Sequence, residues 1–172
     1  AASKLTGALP AIDGSALTGL PSSGIGEIDE WVLTADASTN GDLTTNLSRN
    51  TETTFGKLGT GVSVSSGIFT FPSTGVWQVN TYADFYIPTA DYVDFYIMGT
   101  VNNSTYTEIA AAEGGNFTGQ ITLAASVILD VTSTTNVKVK FRIGSITYAT
   151  LRGLPVSTIK NTYFQFIKLA ET

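Results

Sequence analysis

Neither cysteine nor histidine occurs in this 172-residue chain. Thiolate and imidazole metal sites, a cysteine nucleophile and the Ser-His-Asp arrangement are therefore excluded by inventory. A fold without cysteine also has no disulfide framework and must be held by its core, which a chain of this length can bury without covalent help. Charge is scarce too: nine Lys plus Arg stand against fourteen Asp plus Glu, a net −5 spread thinly. No patch that could neutralise phosphates results, so nucleic acid is not an expected partner. No apolar run reaches the roughly 18 residues of a membrane span, and Ala1-Ala2-Ser3-Lys4-Leu5-Thr6-Gly7 lacks the apolar centre of a signal peptide. Membrane insertion is not expected.

What is abundant is Ser, Thr, Asn and Gly, a composition that favours strands and turns over amphipathic helices. Two regions follow. Residues 1–26 hold an imperfect repeat, Leu5-Thr6-Gly7-Ala8-Leu9-Pro10 and then Leu17-Thr18-Gly19-Leu20-Pro21, with Asp13-Gly14-Ser15 between the copies. Gly and Pro punctuate it too often for one chain to bury its leucines, whereas three chains side by side could. It reads as a short extended stalk or as a flexible leader. Residues 27–172 form the head domain, where apolar and polar residues alternate with the period of half-buried strands.

Trp31-Val32-Leu33 opens that domain. Gly67-Ile68-Phe69-Thr70-Phe71 runs through Pro72-Ser73-Thr74-Gly75 into Val76-Trp77-Gln78-Val79, a hairpin-like unit. Trp77, Val79, Ala83, Phe85 and Ile87 then share one parity against Gln78, Asn80, Tyr82, Asp84 and Tyr86; after Pro88, Val93, Phe95 and Ile97 oppose Tyr92, Asp94 and Tyr96. Two neighbouring strands with matching tyrosine-aspartate faces are expected. Ile121 to Val131 and Val137 to Ile143 alternate as well, the latter against a solvated row of Lys138, Lys140 and Arg142. Tyr163-Phe164-Gln165-Phe166-Ile167-Lys168-Leu169 is apolar on both sides, as a central strand facing a neighbour as well as the core would be. Count and spacing suit an all-β sandwich of eight to ten strands.

The stretch from Gly67 to Val79, a glycine-x-phenylalanine strand, a proline-x-x-glycine turn and an aromatic strand, resembles the signature of the tumour necrosis factor and complement globular head superfamily. Ala125–Val131 with Asn136–Phe141 is similar to that family's penultimate hairpin, and Thr162–Leu169 to its closing strand. The resemblance spans roughly 140 residues and implies a ten-strand jelly roll that assembles as a three-fold trimer. No collagen-like triplets precede the head; the leucine-threonine-glycine repeat instead resembles the shafts of bacteriophage tail fibres.

Four candidate sites follow. The faces Tyr82, Asp84, Tyr86 and Tyr92, Asp94, Tyr96, with Phe164 and Phe166, form the expected trimer interface; stacking of tyrosines on a sugar is the rival reading. Asp36, Ser38, Asn40 and Asp42 space oxygens like the first half of a calcium loop, but Leu47 stands where a bidentate Glu is needed, so a plain Asn-Gly turn is favoured and no cofactor is expected. Asp91 and Asp94 are a carboxylate pair of the kind glycosidases use, with nothing to single them out from surface acids. The segments Gly99–Tyr106 and Gly114–Gln120 are expected to be exposed tips for receptor contact, through Asn102, Asn103, Tyr106, Asn116 and Phe117.

The expected function is a structural, non-enzymatic virion protein: the trimeric head of a bacteriophage tail or capsid fibre. It would join other virion proteins through residues 1–26 and attach to a host-surface glycan or protein. A purely structural decoration or capping protein, and a bacterial lectin-like module, are the alternatives.

Overall fold

The computed structural model of the chain describes residues 25–54, 56–156 and 159–172; the leucine-threonine-glycine repeat and the stalk reading placed on it lie outside the described residues. Ten strands form and, among the described residues, no helix. In chain order they are β1 (Ile28–Leu33), β2 (Gly41–Asp42), β3 (Leu47–Arg49), β4 (Ser63–Ser65) and β5 (Ile68–Thr70). There follow β6 (Gly75–Thr100), β7 (Thr107–Val131), β8 (Lys138–Gly144), β9 (Thr150–Leu151) and β10 (Tyr163–Ala170).

The architecture turns on β6 and β7, which pair antiparallel along almost their whole length, from Gly75↔Val131 to Gly99↔Thr107. The ladder slips between Ile87 and Asp91, beside the exposed Pro88-Thr89-Ala90 and opposite a stretch in which Asn116 (φ 58°) and Gly119 (φ 135°) take left-handed conformations. Proline removes a ladder donor and the positive φ values admit a bulge, so the long hairpin bends there. Each half then belongs to a different layer. Residues 75–87 of β6 and 119–131 of β7 join β10, β1 and β3; residues 91–100 and 107–117 join β8, which in turn pairs β5 and β2.

The two layers face each other over aromatic rings. Phe141 of the second layer stacks on Phe164 of the first at 4.1 Å, and Phe69 meets Phe166 at 5.0 Å and Trp31 at 5.5 Å. Trp77, Phe69, Phe71, Phe85, Phe95, Phe141, Phe164 and Phe166 are all fully buried. Near one end, buried Asp29 accepts both Nε and Nη2 of Arg49 (2.8 and 2.9 Å) and the Trp31 indole N–H at 3.1 Å, which supplies the partners a buried carboxylate requires.

Two expected hairpins are absent. β5 pairs with β4 and β8, not with β6, so Pro72–Gly75 carries the chain from one layer to the other instead of reversing it within a sheet. The segment from Val131 to Lys138 likewise crosses between layers. The tight hairpin lies one strand earlier, at Ser66-Gly67 between β4 and β5, with φ 49° and 78°. Glycine is required there: a Cβ on Gly67 would sit 1.9 Å from the Leu43 carbonyl oxygen.

Candidate functional site

The outward surface of the first layer is built from the even residues of β6 and the odd residues of β10. Tyr82 pairs with Tyr163, Asn80 with Gln165, and Gln78 with Ile167; across the other edge of β6 they pair with Ala124, Ser126 and Ile128. Tyr82 and Tyr163 stack at 4.5 Å. The Lys160 ammonium lies 4.4 Å over the Tyr163 ring and donates to both oxygens of Glu30 at 2.9 Å. Glu30 also accepts from Asn50 (2.7 Å) and Gln165 (2.9 Å). Burial would push the Glu30 carboxyl up, but these donors and the Lys160 charge hold it below the usual range. Beyond Tyr82, Asp84 pairs with Arg152 at 3.2 Å. The face is largely uncharged, with Ile128 standing 64% exposed at its border.

The outward surface of the second layer differs. Tyr92 covers Gly115 and Tyr96 covers Gly144; a Cβ on either glycine would run into the ring at 2.2 and 2.5 Å. Tyr96 donates its hydroxyl to Asp94 at 3.1 Å. Burial first, and then the charges of Asp94, Glu108 and Glu113, push its phenol up to about 12. Alongside, Lys140 and Arg142 both clasp Asp42, at 2.5 and 2.7 Å, and Lys140 also lies 4.3 Å over the Tyr106 ring.

This placement corrects the expected interface set. Tyr82, Asp84 and Tyr86 face away from the core on one layer, and Tyr92, Asp94 and Tyr96 face away from it on the other. They belong to a single strand that bends around the sandwich, so they look out in opposite directions and cannot share one surface. Phe164 and Phe166 are fully buried inside the chain, so they contribute to no subunit face; the outward partners on β10 are Tyr163, Gln165 and Ile167.

The other candidates are engaged elsewhere. Asp36 accepts the Gly153 N–H at 2.8 Å, Asn40 exchanges two hydrogen bonds with the Ile146 backbone, and Asp42 is held by its two cations, so the calcium-loop residues point to separate partners. Among the described residues no group of three or more Asp or Glu is gathered as a metal site. Asp91 is buried and accepts four backbone N–H groups, from Tyr92 (3.0 Å), Thr147 (2.8 Å), Tyr148 (2.7 Å) and Ala149 (2.9 Å). Burial would raise its carboxyl; the amides outweigh that and hold it low. It is a clamp on the segment after β8, whereas Asp94 sits on the outer surface with Tyr96.

Of the expected receptor tips, only the first is a loop. Asn102 organises it, its Oδ1 accepting from the Thr100 hydroxyl, both N–H and hydroxyl of Ser104, and the Thr105 N–H at 2.9–3.0 Å, and Asn103 is exposed. Tyr106 is half-buried with its ring under Lys140. Asn116 and Phe117 instead lie within β7 at the bend, where Phe117 pairs with Asp91 and packs against the core.

The described residues also form several concavities. An apolar cleft of about 430 Å³ opens at the loop end of the β6–β7 hairpin, between Ile109 of one half of β7 and Ile128 and Leu129 of the other. A polar groove of about 340 Å³ lies beside Tyr86, lined by Asp36, Gln120, Thr150 and Arg152. Sequence reasoning missed this groove, because its wall is the two-residue strand β9, too short to leave a periodic signal.

No family model matches the sequence, and no curated protein does. Solved structures match the fold. Eiger, a tumour necrosis factor from S. frugiperda, superposes with a TM-score of 0.64 over 84% of this chain and 93% of its own at 11% identity. Murine APRIL, in the crystal at pH 5.0, gives 0.61 over 83% and 98% at 10% identity. Identity this low speaks for architecture alone, and on that footing the chain is a tumour necrosis factor-like jelly roll of ten antiparallel strands.

Proposed function

We propose that this chain is the trimeric head of a fibre or knob on a bacteriophage virion, which attaches to a host-surface receptor and performs no chemistry of its own. The observation that carries the trimer is the part of the first layer's outward face where β6 lies between β10 and β7, from Gln78 to Tyr82 and short of Tyr86. Tyr82 and Tyr163 stack there among Gln78, Asn80, Ser126 and Gln165, beside the exposed Ile128. Amphipathic tyrosines and neutral amides supply contact area and hydrogen bonds together. The jelly-roll architecture supports the same reading, as does the fibre-like repeat that precedes the head in the sequence. A non-enzymatic role is supported by the engagement of four acids: Glu30, Asp42 and Asp84 are ion-paired and Asp91 accepts four amides. Repetition around a three-fold axis lets shallow, weak sites reach useful avidity.

Light scattering on the full chain tests the assembly. A molar mass three times that of the 18.1 kDa chain supports the fibre-head reading; a monomer at all concentrations rejects it.

A further inference from the structure

We propose that the groove beside Tyr86 is a binding site for a neutral hexopyranose, an inference that rests on the attachment reading above and gives it a place on the head. At Phe85 the neighbour of β6 changes from β10 to β9. Beyond that point Tyr86 stands between Gln120 on one side and Thr150 on the other, each directly opposite it in register. Tyr86 is 48% exposed although it lies mid-strand. The groove thus sets an accessible aromatic ring among a carboxylate, an amide, a hydroxyl and a guanidinium.

The walls are fixed. Leu151 and Ala37 exchange backbone hydrogen bonds at 2.8 and 2.9 Å. Arg152 donates its backbone N–H to the Asp84 carbonyl at 2.8 Å, and its Nη1 to the Asp84 carboxylate at 3.2 Å. Gly153 donates to Asp36 and lies so close to Ala35 that a Cβ would meet its backbone at 2.3 Å. The inner groups, by contrast, are unspent: the Gln120 amide, the Thr150 hydroxyl and the second oxygen of Asp36 have no hydrogen-bond partner among the described residues. Binding would therefore have only these side chains to order, on walls already set.

The chemistry selects the ligand. A pyranose offers a C–H face to an aromatic ring and hydroxyls around its rim that both donate and accept, which is the mixture present here. An extended peptide would need a free strand edge, and β6 is paired on both sides at Tyr86. A nucleotide would need cations for its phosphate, and the Arg152 guanidinium lining the groove is already paired to Asp84. That pairing and the carboxylate of Asp36 also disfavour sialic and uronic acids. The volume is at the small end of ligand pockets, matching one or two sugar rings.

The full chain should be tested on an array of neutral and acidic glycans and by saturation-transfer NMR with neutral methyl hexosides at millimolar concentration. Binding of neutral glycans is expected, weakened at least about tenfold by Tyr86→Ala and by Gln120→Ala, with Tyr86→Phe and the opposite-face control Tyr92→Ala close to wild type. Circular dichroism verifies that each variant is folded. The proposal fails if no neutral glycan binds, if only acidic ones do, or if both groove variants bind like wild type. Molar mass on the same samples separates the two readings: a trimer that binds no sugar rejects this site alone, and a monomer that binds sugar through Tyr86 rejects the fibre head alone.

Discussion

Tyr82 and Tyr163 lie face to face across β6 and β10, their ring centroids 4.5 Å and their planes 17° apart. They are neighbours in register, and both point away from the core. Such a pair adds about 0.5–1.5 kcal/mol beyond its buried area, and it presents a flat surface to whatever lies against it. Tyr82→Ala is expected to leave the monomer fold intact and to weaken the proposed trimer, read by light scattering as dissociation at concentrations where wild type stays associated. An unchanged association constant would remove this face from the interface.

Asp91→Ala should be among the most damaging single changes on the second half of the chain. It leaves four backbone N–H groups without their acceptor. A loss of about 2–4 kcal/mol is expected in urea unfolding, since amide bonds to a charged acceptor are the strong ones. Hydrogen exchange should locate the first effect at residues 147–149.

Acid should unfold the protein through three named carboxylates. Glu30, Asp42 and Asp91 are each held below their usual range: burial opposes this in all three, and hydrogen bonds or cations prevail. A lowered folded-state value means that the unfolded chain binds protons first as pH falls. The stability these groups contribute is present above the ordinary carboxylate range of about 4 and lost below it. The urea midpoint should fall steadily from about pH 5 downward, and less steeply for Asp91→Asn.

Alkali acts through Tyr96 with the opposite sign. Its phenol is pushed up to about 12, whereas the unfolded chain releases that proton near 10. The folded state holds the proton longer, so this contribution is complete below about pH 10 and drains away as pH rises toward 12. Burial also raises the Tyr106 and Tyr163 phenols, so absorbance titration should show several late phenolates, one of which Tyr96→Phe removes.

Phe164→Ala should cost about 3–5 kcal/mol through a core cavity. Because Phe164 stacks on Phe141 inside the chain, the loss should be independent of protein concentration. A purely concentration-dependent loss would return Phe164 to the subunit interface.

The contrast between Phe164 and Tyr163 shows where sequence reading reached its limit. On β10 both parities are apolar or aromatic, so period two announces a strand but not which side is core; only packing against Phe141 and Phe95 decides. On β6 the difficulty is subtler. Odd residues from Trp77 to Ile97 keep one parity through Pro88, which reads as two sheet-mates with matching faces. Because the register slips at the bend, the same parity wraps around the core, and Tyr82 and Tyr92 end on opposite sides. The strand class, the core residues Trp77, Phe85, Phe95 and Phe141, and the jelly-roll resemblance were legible because they depend on local alternation. The Tyr86 groove was not, since Asp36, Gln120 and Arg152 meet only through long-range pairing. The grip of Lys140 and Arg142 on Asp42 was hidden for the same reason: the partners lie about a hundred residues apart.

The bent hairpin also has a consequence for how the molecule comes apart. One ladder of hydrogen bonds runs from Gly75 to Gly99 and serves both layers, and no covalent loop separates its two halves. Neither layer can open while the other stays closed, because the shared strands would have to melt at the corner first. Unfolding should therefore be a single cooperative event, with calorimetric and van't Hoff enthalpies in agreement. A fold held that way yields all at once or stays whole, and does not fray layer by layer.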